Sequence, residues 1–452
     1  MSNFVFPDSF IWGAACSAFQ LEGAMYENGR TLNIKEHAFY NPETCDMFED
    51  RRPPDVSADF YHKYRDDIKL FEELGIKSFR FSISWSRIFP DVTCIPNQKA
   101  IDYYNDMINT MIDSGIEPFF DLWHGDLPQW LLDNGGIVSD QFIDWFVKYA
   151  KICFENFGDR VKLWSTVNEP KLNVYGVYAH AHGAPYLEDV GLAMKATHNV
   201  LIAHFRIVKM LHKMWPDARI GSVHNTGYCY SMSFNQADID AAERHQAMQL
   251  LFLDPMILGH YPNEVLDYKE ISEHISEESI KELADEFSPM DFYGVNYYSA
   301  NFIKSGDSTS YGTTWFETEL PKDAYGFTSY PAGLFDSLTL LNDRYNGLPV
   351  FITENGYTYR REDVFNMDLA LYQHDSERIN YVREHIRVLG RSIKAGVNVQ
   401  GYFYWSVMDC WESSMGYGYP MGLIGVNFDT LERIPRDSFY YYQKIIANNR
   451  VD

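Results

Sequence analysis

Eight short apolar runs alternate with amphipathic helical stretches along the whole chain, and this repeat restricts the fold more than any other feature. The strand-like runs fall at residues 10–15, 78–84, 117–123, 163–168, 219–224, 291–298, 350–354 and 399–406. Between them apolar side chains recur at helical spacing. In 376–395, Ile379, Val382, Ile386, Leu389 and Ile393 repeat at steps of three and four before Gly396 stops the pattern. The stretch from Ser139 carries two adjacent apolar rows before Gly158, Phe142/Phe146/Cys153/Phe157 and Ile143/Val147/Ala150/Phe154, a face broad enough for the outer helix of a barrel. Residues 59–74, with Tyr61, Tyr64, Ile68 and Phe71, end in the same way at Gly75. Strands that alternate with helices pair in parallel, and eight such units predict an α/β fold of the (β/α)8 TIM-barrel type rather than an open sheet. At 452 residues the chain could hold several domains, but no low-complexity linker or internal repeat divides it. The expectation is one domain over 1–452, with long barrel-top loops at 22–56 and 301–331.

A parallel barrel places its site at the C-terminal ends of the strands, so the polar residues that close each run are the ones to collect. They are Gln20 beyond the first run, Arg80 in the second, His124 after the third, Asn168 and Glu169 after the fourth, Asn296 and Tyr298 at the sixth, Glu354 at the seventh, and Trp405 and Glu412 at and beyond the eighth. Acids, amide and imidazole groups and an indole match what a pyranoside requires: partners for hydroxyls, a flat face for the ring, and two carboxylates for cleavage. Each residue also has a plain structural reading. A strand-end glutamate standing alone is more often an ion-pair residue, Trp405 could be core, and Arg80 could balance a buried acid. His180 and His182 resemble a metal pair, yet no acid or thiol lies near them in sequence, and no metal site is expected.

Composition narrows the partners. Acidic residues number 63 against 38 basic ones, a formal charge of −25 that repels nucleic acid and anionic membranes. No GxGxxG or GxxxxGK[ST] follows a strand, which argues against dinucleotide and nucleotide cofactors. The cysteines, at 16, 45, 94, 153, 229 and 410, form no CxxC, and the first residues carry no basic-then-apolar leader; both suit a soluble cytoplasmic protein. A small-molecule substrate is the expected partner, and nothing in the sequence specifies an oligomeric state.

The motifs FIWGAACSAFQLEG, FRFSISWSRIFP, HGDLP, FGDRVKLWSTVNEP, DFYGVNYYS, FITENG, GYFYWSVMDCWE and ERIPRDSFYYY occur in that order. Together they resemble glycoside hydrolase family 1, the β-glucosidase family, from end to end. The resemblance implies a barrel without a cofactor that hydrolyses β-glycosides with retention. It implies Glu354 as nucleophile and Glu169 as acid/base, Gln20, His124, Asn168, Trp405 and Glu412 on sugar hydroxyls with Trp411 and Ser413 beside them, and Arg80, Asn296 and Tyr298 in support. Glu169 must begin protonated, and the negative charge of Glu354 is expected to raise its pKa.

Four positions where the family usually has tryptophan hold something else: Gly125, Lys171, Phe327 and Ser413. Gly125 and Ser413 should widen the glycone pocket, at a cost of roughly 1 to 3 kcal/mol for a plain glucoside unless other groups fill the space. Lys171 and Phe327 are expected on the aglycone side, with Lys171 either facing an anionic aglycone or simply exposed. Three other readings stay open. A 6-phospho-β-glycosidase is disfavoured by Glu412 and by the lack of a basic residue in SSMGYGYPMG, and a non-catalytic sugar-binding barrel by the presence of both glutamates. Transglycosylation uses the same intermediate as hydrolysis.

Overall fold

In a computed structural model, which describes residues 4–361 and 373–451, all eight runs are strands of one closed parallel barrel. They are β1 Ile11–Ala15, β2 Ser78–Ser82, β3 Glu117–Asp121, β4 Leu163–Asn168, β5 Arg219–Asn225, β6 Phe292–Asn296, β7 Val350–Asn355 and β8 Val399–Trp405. Each pairs with its neighbours in chain order, and β8 closes on β1 through Gly401↔Ile11 to Trp405↔Ala15. The expected helices lie outside: α1 Phe60–Leu74, α2 Gln98–Asp113, α3 Phe142–Phe157, α4 Val190–Met214, α5 Glu277–Glu286, α6 Pro331–Arg344, α7 Ser376–Lys394 and α8 Asp437–Asn448. The two apolar rows of α3 explain its packing, since Phe142, Phe146, Ala150, Cys153, Phe154 and Phe157 are all buried.

The barrel interior has an aromatic floor and a charged upper layer. Phe119, Phe292, Phe351 and Phe403 meet edge to face at 5.0–6.2 Å between ring centres, a dry base on which Arg80 and Asp121 stand fully buried. Glycine makes room for these rings: a β-carbon on Gly13 would come within 2.4 Å of the Phe403 ring. Two strands break register just before their glutamates, β4 between Ser165 and Asn168 and β7 between Ile352 and Glu354. Such irregularities re-aim side chains at a barrel rim.

The two long connections carry structure that their lack of period concealed. Segment 22–56 contains the helix Ile34–Tyr40, started by a capping box in which Asn33 accepts from Glu36 N and Glu36 accepts from Asn33 N. Segment 301–331 contains a hairpin, Asn301–Ser305 with Thr313–Trp315, that pairs with Cys229–Ser231 in a three-stranded sheet. Both connections bring residues to the mouth of the barrel.

Candidate active site

Arg80 organises the strand ends. Its guanidinium contacts Asp121 at 2.6 Å, Glu354 Oε1 at 2.8 Å and Asn168 Oδ1 at 2.8 Å. One rigid fork thereby connects β2, β3, β4 and β7. Tyr298 donates to the other oxygen of Glu354 at 2.8 Å. Asn296 donates to Asn168 Oδ1 at 3.0 Å and to Glu169 Oε1 at 2.8 Å, and it is fixed by the Thr353 hydroxyl on its own oxygen at 2.8 Å. Arg80, Asn168, Asn296, Tyr298, Glu169 and Glu354 thus form one connected network.

His124 Nδ1 lies 3.1 Å from Asp121, a pure acceptor, so Nδ1 carries the proton. Burial holds this imidazole below its usual pKa, so Nε2 is free to accept from Asn168 Nδ2 at 3.2 Å. Trp405 stacks on the imidazole at 5.3 Å, nearly parallel at 7°. Gln20 is turned by Ser17, whose hydroxyl donates to its oxygen at 2.6 Å, and its amide then donates to Glu412 at 2.6 Å. These contacts join the first and eighth strand ends to the same site.

The two carboxyls expected to act differ in what surrounds them. Burial raises both above the ordinary glutamate range. Against it Glu354 has the Arg80 guanidinium in direct contact, whereas Glu169 has chiefly the neutral amide of Asn296. Direct contact with Arg80 favours the anion at Glu354, against the neighbouring charge of Glu169, which raises its pKa. At Glu169 the Asn296 amide is the direct contact, and Arg80 and Lys35 act on it as charges. The sequence expectation is corrected on one point: burial raises Glu169, and the repulsion between the two carboxyls raises Glu354 instead. Glu169 also holds a left-handed backbone, φ 50°, rare for a residue with a side chain and costing on the order of 1 to 3 kcal/mol. Its amide is anchored to the Val223 carbonyl at 2.8 Å.

Other expectations change. Trp411, expected beside the sugar, has no exposed surface; it stacks on Phe48 at 6.1 Å among Phe19 and Phe39 and supports the site from behind. Adjacency to Glu412 in sequence did not reveal that its side chain points the other way. The space at Gly125 is not left open, because Asn173 Oδ1 sits 2.5 Å from where a β-carbon would stand, and Asn173 donates to the Asn168 carbonyl at 3.1 Å. Ser413 is half-buried with φ 48° at the start of a short helical turn. Phe327 stacks on Tyr298 at 5.4 Å and on Tyr325 at 5.5 Å, and it lines a cavity of about 400 Å³ with Asn296, Tyr298 and Trp315. Lys171 is half-buried rather than exposed.

Three groups were missed by reading strand ends alone. Lys35, in the first turn of the capped helix, lies over the Phe19 ring at 4.8 Å, and Asp126, Glu412 and Glu169 all act on its ammonium. Burial pushes Asp126 up to about 7, one of its oxygens having no partner, and pushes Glu412 up to about 7. Tyr325, from the second long connection, bonds to Glu412. The NxxE spacing from Asn33 to Glu36 is a signal that could have found the helix carrying Lys35; no periodicity marks Tyr325.

Comparison with known proteins agrees with this geometry. The family model described as Glycosyl hydrolase family 1 matches residues 2–451. Beta-glucosidase A of Thermotoga maritima is 37% identical over 451 residues, 99% of each chain. Beta-glucosidase A of Acetivibrio thermocellus is 38% identical over 457 aligned residues, 99% of this chain and all of that one. A structure of the Thermotoga maritima family 1 glycoside hydrolase with a cyclophellitol-analogue transition-state mimic superimposes with a TM-score of 0.93 at 35% identity, covering 100% of both chains. With the eight-stranded barrel and the clustered glutamates, these likenesses establish that the chain belongs to glycosyl hydrolase family 1, a family of retaining glycoside hydrolases.

Proposed function

We propose that this glycoside hydrolase is a β-glucosidase in which Glu354 attacks the anomeric carbon and Glu169 serves first as acid and then as base. The observation that carries the assignment is the unequal support of the two carboxyls, Arg80 and Tyr298 on Glu354 against a single amide on Glu169. In the first step Glu354 forms a glycosyl ester as the C–O bond to the aglycone breaks, and the Glu169 proton passes to the leaving oxygen. Esterification removes the charge of Glu354, which lowers the pKa of Glu169 and lets it take a proton from water. Water then attacks the same carbon, Glu354 leaves, and the configuration is retained. Gln20, His124, Asn168 and Glu412 are assigned to sugar hydroxyls and Trp405 to the ring face.

The names of the two relatives at 37 and 38% identity support glucose as the glycone. One observation favours a second reading, a 6-phosphorylated glycone: Lys35 supplies, near Glu412, the basic group that the segment after Glu412 lacks. Rates on 4-nitrophenyl β-glucoside and its 6-phosphate separate the two. The glucoside is expected to be the better substrate, and Glu354→Gln is expected to lower its kcat by about 10⁴-fold or more. A preference for the phosphate overturns the glucoside reading, and full activity in Glu354→Gln overturns the assignment of the nucleophile. A cytoplasmic setting is also proposed, supported by six cysteines that are all unpaired.

A further inference from the structure

Lys171 follows Glu169 and Pro170 directly and opens the helical segment Lys171–Gly176. An acid at Glu169 protonates the leaving group, so the segment that follows it starts near that side, and the partners of Lys171 show where its side chain goes. With its amide oxygen toward the lysine, Gln249 accepts from Lys171 Nζ at 3.2 Å and donates to the Asn225 carbonyl at 3.2 Å. Asn225 in turn lines the cavity that contains Tyr298, Trp315 and Phe327. Gln249 thus links the ammonium, through Asn225, to the wall of that cavity.

Its surroundings lack a counter-charge. Among the described residues no carboxylate pairs with Lys171, although the chain carries 63 acids. The groups that act on it or feel it are neutral. Cys229 is a thiol pushed up to about 12 by burial, and the imidazoles of His180, His182 and His245 are all held below their usual pKa by burial. His180 Nε2 is buried with no partner. A desolvated cation without an anion is unfavourable unless something outside the chain completes it. Lys171 itself is pulled down only to about 8, so it stays mostly charged at neutral pH.

We propose that Lys171, oriented by Gln249 and with His180 beside it, forms an oxyanion subsite for the aglycone, so that aryl β-glycosides bearing a carboxylate on the aglycone are preferred substrates. The inference rests on the β-glucosidase reading and adds the chemistry of the leaving group to it. The aromatic walls Phe327 and Trp315 suit the aryl ring, and the ammonium suits its charged substituent.

The test compares kcat/KM for 3-carboxyphenyl β-glucoside with that for its neutral isostere, 3-carbamoylphenyl β-glucoside. The expected ratio in the wild type is at least about 10, carried mainly by KM. It should fall toward 1 in Lys171→Gln, persist in Lys171→Arg, and fade in the wild type as pH rises through about 8. The titration of Glu169 affects both substrates and cancels in the ratio. A wild-type ratio near 1, or one unchanged in Lys171→Gln, overturns the subsite while leaving the β-glucosidase reading intact. Cleavage of neither glycoside overturns that reading and the subsite with it. Replacing the carboxylate by a phosphate on the same ring shows whether the subsite takes either oxyanion; a phosphate preference larger than the carboxylate preference overturns the choice of carboxylate.

Discussion

At Glu354 a guanidinium and a phenol converge on one carboxyl, while Glu169 is met by an amide. Such differences decide what a buried acid does, and Asp126 tests the principle away from the proposed chemistry. It is fully buried, one oxygen lacks a partner, and its pKa is pushed up to about 7. The folded protein therefore keeps a proton that the unfolded chain releases near pH 4, so this residue makes stability fall as pH rises from about 4 to 7. Asp126→Asn should match the wild type in Tm at pH 4.5 and exceed it at pH 8, a gain on the order of 2 kcal/mol. Equal Tm values at both pH values would show that Asp126 is not held protonated. Much of this scale was legible: polar residues closing strand patterns located Arg80, His124, Asn168, Asn296, Tyr298 and both glutamates. Lys35, Asp126 and Tyr325 were not found that way, because they lie outside the strands and their direction depends on packing.

Strand β7 shows how an element converts sequence into site geometry. Val350, Phe351 and Ile352 bury the strand, the register shift before Glu354 re-aims the carboxyl, and Asn355 fastens the end through Tyr297, Tyr381 and Tyr402 at 2.6–3.0 Å. Gly356 follows because a β-carbon there would lie 1.8 Å from the Trp405 carbonyl oxygen. Gly356→Ala must push β7 from β8 and should cost about 3 kcal/mol, with a fall in kcat as Glu354 moves. Thermal melts and rates on one preparation check this, and an unchanged Tm would contradict the close approach. The strands were legible because a buried parallel strand is a short apolar run that a turn signal ends. The long connections were not: a short capped helix and a three-residue strand are too brief to show a period, and they depend on contacts with distant chain.

For the whole molecule, closure of the barrel is what brings the ends of β4 and β7 to one network, although the two strands are far apart in sequence. The net charge of −25 fits a small neutral or locally captured substrate rather than a polyanion, and no described helix is long and apolar enough to cross a membrane. The central claim is that this closure makes Glu354 the nucleophile and Glu169 its acid partner. The direct measurement is to trap the intermediate with a 2-deoxy-2-fluoro-β-glucoside carrying an activated leaving group and to locate the label by peptide mass spectrometry. The account predicts one sugar per chain, esterified to Glu354 within PVFITENGY. A label on Glu169 or Glu412, or turnover that passes through no covalent intermediate, would contradict it.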